Sequence, residues 1–97
     1  MAPVKKNRKF LCRRVKIRNE RGLHARAAAK FVRRASGLDS EVMVARRGAA
    51  VSGLSIMGLL TLAASRGTFI EIRAEGREAR AALEVLCALV RDGFEED

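Results

Sequence analysis

The residue best suited to chemistry in this chain is His24, the only histidine among its 97 residues. It stands just before an apolar pattern that predicts a helix beginning at Ala25. The free N–H groups and the dipole of a helix N-terminus stabilise an anion, and a neutral imidazole is a competent nucleophile near pH 7. A phosphate carried by His24 would be held at the helix end, where the guanidinium of Arg26 would steady its oxygens.

Both residues also have a purely structural interpretation. A lone histidine beside a glycine turn is often a helix cap or a surface residue, and Arg26 is also compatible with a solvated helix cation. The sequence has no Ser/His/Asp set, no phosphate-binding loop and no paired carboxylates that would make it a self-sufficient catalyst. The residues alone therefore leave both interpretations open, and any phosphate chemistry at His24 would have to be started by another protein.

A second candidate site is Ser55, which is followed by Ile-Met-Gly-Leu-Leu. A serine at this place predicts the N-cap of a short helix, and burial of the apolar residues in the core would be enough to explain the pattern. If Leu54 and Met57 remain exposed instead, they form an adaptable apolar patch of the kind that docks partners.

The sequence argues against a metal site. Cys12 and Cys87 lie far apart and in no metal-ligand pattern, and a single histidine cannot complete a zinc site with them. We expect no metal, no cofactor, and two reduced thiols in or near the core.

No export signal is visible at the start of the chain, so we expect a cytoplasmic protein. The longest uncharged run, Gly48 to Ser65, is close to the lower length limit for spanning a membrane. Its serines, threonine and glycines count against insertion, and we expect none.

Hydrophobic periodicity predicts four strands and three helices in the order βαββαβα. Strands are predicted through Val15 and Ile17 with an end near Asn19, through Val42 and Val44, at Ala50 and Val51, and from Thr68 to Ala74. Helices are predicted from Ala25 to Ala35 with a left-handed cap at Gly37, after Ser55 with Ile56, Leu59, Leu60 and Ala63 on one face, and from Arg77 to Arg91. This order indicates an α+β fold with one sheet and the helices on one face. Residues 1–9 are predicted to be a basic flexible tail and 10–97 a single domain.

The formal net charge of +9 is concentrated in the first half of the chain, where residues 1–47 carry fifteen Lys and Arg against three acids. Such a field attracts acidic surfaces, phosphates or nucleic acid. A nucleic-acid-binding module would use Lys5, Lys6, Arg8, Arg13, Arg14 and Arg33. Phe10 is the only aromatic near those cations in the sequence, which does not make a base-stacking platform, and we expect no nucleic-acid partner.

Two motifs resemble those of one family. The motif Gly-Leu-His-Ala-Arg at 22–26 resembles the phosphorylation site of HPr, the histidine-containing phosphocarrier of the bacterial phosphoenolpyruvate phosphotransferase system. Ser-Ile-Met-Gly-Leu at 55–59 resembles the regulatory serine motif of the same family. The resemblance runs from about Phe10 to Phe94 and implies an open-faced β-sandwich, with a four-stranded antiparallel sheet and three helices on one face.

The resemblance implies a role for each matching residue. His24 would be phosphorylated on Nδ1 by enzyme I, Arg26 would assist the transfer, and an EIIA-type protein would be the acceptor. Ser55 would be modified by HPr kinase/phosphorylase. The helices after His24 and Ser55 would dock partners, with the contacts Ala25, Ala27, Leu54, Met57 and Leu60. Because members of this family are usually monomers, the resemblance also predicts a monomer.

The sequence departs from the family pattern at Ala27 and in the high basicity of its N-terminal half, which leaves room for a partner that the resemblance does not name. Ala27 stands where the family usually has proline, and alanine is acceptable because proline there only pre-sets the first helical turn. The ending at 93–97 is more similar to the nitrogen-related branch, often called NPr, than to the sugar-transport branch. A regulator that works through Ser55 and not through His24 is a further alternative, and the sequence leaves the pathway open.

Overall fold

A computed structural model describes residues 10–96, so the predicted tail of residues 1–9 lies outside it. The order of elements is βαββαβα, as predicted. The strands are β1 (Leu11–Lys16), β2 (Glu41–Arg46), β3 (Ala49–Ser52) and β4 (Phe69–Glu75), and the helices are α1 (Ala25–Ser36), α2 (Ile56–Thr61) and α3 (Ala79–Arg91), followed by a 3₁₀ turn at Gly93–Glu95.

The four strands form one antiparallel sheet in the order β1-β4-β2-β3. Val15 lies opposite Ile70, and Val44 lies opposite Ile72. Because alternate residues of a strand face the same side, these buried side chains form one continuous apolar face. The helices pack on that face and leave the other open, which confirms the predicted open-faced β-sandwich.

The core of the described residues is a single aliphatic cluster with two buried phenylalanines, Phe31 and Phe94. Small side chains on α1 allow the helix to approach its neighbours closely, whereas α3 contributes larger ones. The buried residues of these two helices are Ala27, Ala28, Phe31 and Ala35 of α1 and Ala79, Ala82, Leu83, Leu86, Cys87, Leu89 and Val90 of α3.

The turns follow the local chemistry of the chain. Arg47 and Gly48 join β2 to β3 as a two-residue loop with φ of 51° and 83°, the geometry that matches the twist of a hairpin. The predicted left-handed cap at Gly37 is wrong, since its φ is −84°. The helix ends instead in a 3₁₀-type turn, in which the Gly37 N–H donates to the Arg34 carbonyl at 3.3 Å. A turn of this type needs no left-handed residue.

Three other expectations are corrected. The third helix begins at Ala79 and not at Arg77, and Ala63 lies beyond α2 with a φ of 51°. Cys12 is exposed because it faces the open side of the sheet, opposite to Val15. Cys87 is buried as expected, and burial raises the pKa of its thiol against smaller opposing effects of nearby arginines.

The uncharged run from Gly48 to Ser65 does not form one long helix. It divides between β3, α2 and their connections. Within residues 10–96, no helix has the length and apolar character needed to cross a bilayer.

Two phenylalanines, one buried and one exposed, give a test of this core. Phe94→Ala removes a side chain with 0% exposure and should lower the free energy of unfolding by about 3–5 kcal/mol. Phe69→Ala is the matched control, since Phe69 is 40% exposed on the open face, and it should cost about 1 kcal/mol or less. Urea denaturation of both variants measures the difference. Equal losses would contradict the placement of Phe94 in the core.

Candidate functional site

The turn between β1 and α1 fixes the entry to the helix. Gly22 has a φ of 69°, and a Cβ on it would lie 2.6 Å from the carbonyl oxygen of Ala64. Both conditions require glycine at this position. The next residue, Leu23, donates its N–H to the same Ala64 carbonyl at 2.9 Å and is buried. The direction in which the chain enters α1 is thereby set by the loop after α2.

His24 is the N-cap of α1, in agreement with its predicted place before the helix. Its backbone is extended, its carbonyl accepts the Ala28 N–H at 2.8 Å, and its Nδ1 accepts the Arg26 N–H at 3.3 Å. A ring nitrogen that accepts an N–H carries no proton of its own. Nδ1 therefore presents a lone pair at the open N-terminus of the helix.

The other ring nitrogen is held by a carboxylate. Nε2 of His24 lies 2.5 Å from Oε2 of Glu96, and the two side chains are only 16% and 18% exposed. With Nδ1 acting as acceptor, Nε2 carries the proton and donates it to Glu96. Glu96 is 72 residues from His24 along the chain, so no local pattern in the sequence indicated it.

Asn19 stabilises this pair through hydrogen bonds. It is a buried polar side chain, and its Nδ2 donates to Oε1 of Glu96 at 3.0 Å and to the carbonyl of Gly22 at 2.8 Å. Asn19 entered the sequence analysis only as the approximate end of a strand. In the folded chain it connects the turn that precedes His24 with the carboxylate that orients the ring.

The Glu96 carboxyl has a pKa below its ordinary value. Burial raises the pKa, but the hydrogen bonds from Asn19 and His24, together with the charge of the His24 ring when it is protonated and the charge of Lys30, lower it further than burial raises it. The group is therefore ionised at neutral pH. An ionised carboxylate at Nε2 stabilises positive charge on the imidazole ring.

Helix α1 also holds the segment that carries Glu96. Lys30 donates from Nζ to the carbonyl of Phe94 at 2.8 Å, and Arg34 pairs with Glu95 at 2.5 Å. The bond from Arg34 lowers the pKa of the Glu95 carboxyl. With Phe94 buried in the core, the segment has one apolar and two polar attachments beside His24.

Arg26 is exposed in the first turn of α1 and lines a cleft together with Asn19 and Glu96. Asn19 donates a hydrogen bond to Glu96, and Glu96 accepts another from His24. The backbone N–H of Arg26 bonds to Nδ1 of His24, so this residue adjoins the imidazole, and the role of its guanidinium stays a prediction.

Ser55 is the N-cap of α2, as predicted. Its Oγ accepts the Gly58 N–H at 2.9 Å, and the side chain is partly exposed. The hydroxyl is therefore at the surface while also ordering the helix.

The residues around Ser55 form an apolar surface, here called the apolar patch and defined as Leu54, Ile56, Met57 and Leu60. Their exposed fractions are 56%, 39%, 74% and 36%. Helix α2 is thus less buried than predicted, because among its six residues only Leu59 is buried.

One predicted partner contact is wrong. Ala25 is exposed at the start of α1, but Ala27 is 0% exposed and belongs to the core. Ala27 lies four residues before Phe31, on the same inward face of the helix, so its side chain cannot reach a partner.

Within residues 10–96, no group of three His, Cys, Asp or Glu side chains could hold a metal ion.

Among the described aromatic residues, Phe69 was not foreseen as a surface feature. It lies on the open sheet face with the Arg14 guanidinium 4.0 Å from its ring centroid.

The Glu96 contacts predict a pH-dependent contribution to stability. Because the folded pKa lies below the ordinary value of 4.5, the ionised carboxylate stabilises the fold above that pH and the contribution disappears as pH falls through the folded pKa. Glu96→Gln should lower the free energy of unfolding by about 0.5–1 kcal/mol at neutral pH and by nothing in strong acid.

Denaturation at a series of pH values measures this difference. Glu84→Gln is the control, since Glu84 is exposed on α3. If the two variants show the same stability at every pH, the role of Glu96 is contradicted.

The chain is similar to proteins of one family over most of its length. The profile described as "PTS HPr component phosphorylation site" matches residues 11–92. The phosphocarrier protein HPr of Neisseria meningitidis is 44% identical over 82 residues, which cover 84% of this chain and 92% of that protein. The phosphocarrier protein NPr of Shewanella violacea is 42% identical over 84 residues, which cover 87% and 92%.

Solved structures give the same result. The crystal structure of HPr-C-His from Thermoanaerobacter tengcongensis superposes with a TM-score of 0.85 at 36% identity and covers 90% of this chain and 98% of that one. Similar structures include dimers, so the predicted monomer stays a prediction. By sequence and by fold, the chain belongs to the HPr family of the phosphotransferase system.

Proposed function

We propose that Nδ1 of His24 accepts a phosphoryl group from phosphorylated enzyme I and passes it to an EIIA-type acceptor protein. The observation that carries this proposal is the placement of one imidazole. Its Nδ1 lone pair is directed at the N-terminus of α1, and its Nε2 proton is held by Glu96. The family's function as a phosphocarrier of the phosphotransferase system supports it.

The transfer step needs no added base. The Nδ1 lone pair attacks the phosphorus, a new N–P bond forms, and the bond from phosphorus to the donor breaks with its electron pair left on the donor. No proton leaves Nδ1, because that nitrogen carried none. The ring gains positive charge, which the Nε2–H shares with the Glu96 carboxylate at 2.5 Å.

The phosphoryl oxygens need donors as their charge shifts. The backbone N–H groups of the first turn of α1 are free of intrahelical partners, apart from the long 3.3 Å bond of Arg26 to Nδ1. A phosphoryl group on Nδ1 would take up these donors and the guanidinium of Arg26. Because the N–P bond stays labile, the reverse of the same step delivers the group to the acceptor.

Partner proteins would dock on the apolar patch and on Ala25, which is exposed beside His24. Ser55 lies within this surface. Its phosphorylation by HPr kinase/phosphorylase would add roughly two negative charges there and weaken the docking of acidic partners.

We further propose a cytoplasmic monomer that acts as a substrate of its partner enzymes, with no nucleic-acid partner. Regulation through Ser55 is compatible with transfer through His24, because the two residues cap different helices. A regulator that works without transfer would not need the hydrogen bonds that orient the two ring nitrogens of His24.

A transfer assay tests the proposal. The protein is incubated with purified enzyme I and phosphoenolpyruvate, and the modified residue is mapped under non-acidic conditions. We expect acid-labile, alkali-stable phosphate on His24, and none on His24→Gln. Phosphate retained in that variant, or mapped to another residue, would refute the assignment.

Arg26→Lys separates the shape of the guanidinium from its charge. Since lysine keeps the charge but loses the planar fork, we expect the transfer rate to fall by about tenfold. Arg33→Lys is the matched control on the exposed side of the same helix and should keep the full rate.

Ser55→Asp tests the regulatory role. Aspartate still caps α2, so the expected effect is electrostatic: KM for the partner rises by about tenfold while kcat changes little. Ser55→Ala removes the cap without adding charge, and it should lower stability by about 1 kcal/mol with KM unchanged. A similar rise in KM for both variants would indicate loss of helix order and not repulsion.

A further inference from the structure

A cleft rich in arginine adjoins the His24 site. It has a volume of about 550 Å³, within the usual range of small-molecule sites. Arginines from four separate segments line it: the loop after β1, the first turn of α1, the loop after α2, and the end of α3. The five arginines are Arg18, Arg21, Arg26, Arg66 and Arg91, here called the arginine cleft.

The ion pairs seen in residues 10–96 involve none of these five arginines. Three carboxylates also line the cleft, but Glu96 is bonded to His24 and Asn19, which leaves Glu20 and Asp92. Five cations brought together around one cavity repel one another, and a bound anion relieves that repulsion.

We propose that the arginine cleft binds a polyphosphate chain of two or more linked phosphates. Guanidinium forks match phosphate oxygens in pairs. A cleft of about 550 Å³ has room for more than one phosphate, and a linked chain offers oxygens to arginines from more than one of the four segments.

The lining also indicates what is not recognised. All of its side chains are polar or charged, apart from Gly93, and none is aromatic. The cleft therefore offers no aromatic ring on which a nucleobase could stack. The phosphate chain is the shared chemistry of inorganic polyphosphates and nucleoside triphosphates, and the cleft would bind either source through its phosphate oxygens.

This site is separate from the proposed docking surface, since no residue of the apolar patch lines the cleft. Arg26 belongs to both the cleft and the His24 site. A consequence that rests on the proposed function is that a bound polyphosphate occupies Arg26 and slows transfer to His24. Binding itself does not depend on that function and is measured without any partner protein.

The experiment is calorimetric titration of the full 97-residue protein with orthophosphate, pyrophosphate, tripolyphosphate, ATP and GTP. Amide shifts in NMR spectra locate the bound anion. We expect affinity to rise with the number of linked phosphates, ATP and GTP to bind like tripolyphosphate, and the shifts to centre on Asn19, Arg66 and Gly93. Equal affinity for every anion, or a clear preference for one base, would overturn the proposal.

Variants outside the transfer machinery test the location. Arg66→Ala and Arg91→Ala should each raise the Kd for tripolyphosphate by about fivefold. Asp92→Asn should lower it by about twofold, because a repelling charge is removed. Arg80→Ala is the matched control, since Arg80 is exposed on the same helix as Arg91 but outside the cleft.

An effect of Arg80→Ala equal to that of Arg91→Ala would show general attraction to a basic protein and overturn the site. A polyglutamate peptide that shifts the cleft amides while tripolyphosphate does not would assign the cleft to an acidic protein partner instead. Failure of transfer in the His24 assay with normal tripolyphosphate binding would count against the proposed function alone.

Discussion

The site depends on the hydrogen bond between Nε2 of His24 and the carboxylate of Glu96. The bond fixes the proton on Nε2 and leaves Nδ1 with a lone pair at the start of α1. Without it, the ring could rotate or exchange its tautomer, and the nucleophile would be absent for part of the time. Asn19 and the buried Phe94 act on this bond indirectly, because they determine where the carboxylate lies.

The backbone near Glu96 is held in an unusual conformation. Phe94 and Glu95 have φ of 57° and 64°, a region that non-glycine residues adopt at some cost in free energy. Burial of the Phe94 ring and the bonds from Lys30 and Arg34 offset that cost. The carboxylate thus reaches the imidazole from the far end of the chain through packing, and not through a local turn.

Much of the fold follows from periodicity. The alternation around Val15 and Ile70 and the helical spacing at Phe31 each describe one buried face, and burial in the folded chain agrees with them. The positions of His24 and Ser55 as helix caps were predicted because capping is local, whereas the roles of these residues and of Arg26 stay predictions. Glu96 and the arginine cleft were not foreseen, because both depend on residues that are distant in sequence and adjacent only after folding.

Ala27 shows the complementary error. A motif neighbour of His24 was assigned to the surface, although its helical phase with Phe31 already pointed inward. The contact between Phe69 and Arg14 on the open sheet face was not predicted either. Strand pairing between β1 and β4 brings these two residues together, and nothing in the local sequence indicates it.

The long separation between His24 and Glu96 has a consequence for biosynthesis. On the ribosome, the imidazole emerges 72 residues before the carboxylate that orients it. A nascent or proteolytically shortened chain that ends before Glu96 has His24 without the carboxylate that orients its ring. Under the proposed function, we expect phosphate transfer to become efficient only after Glu96 has been added and has bonded to the ring.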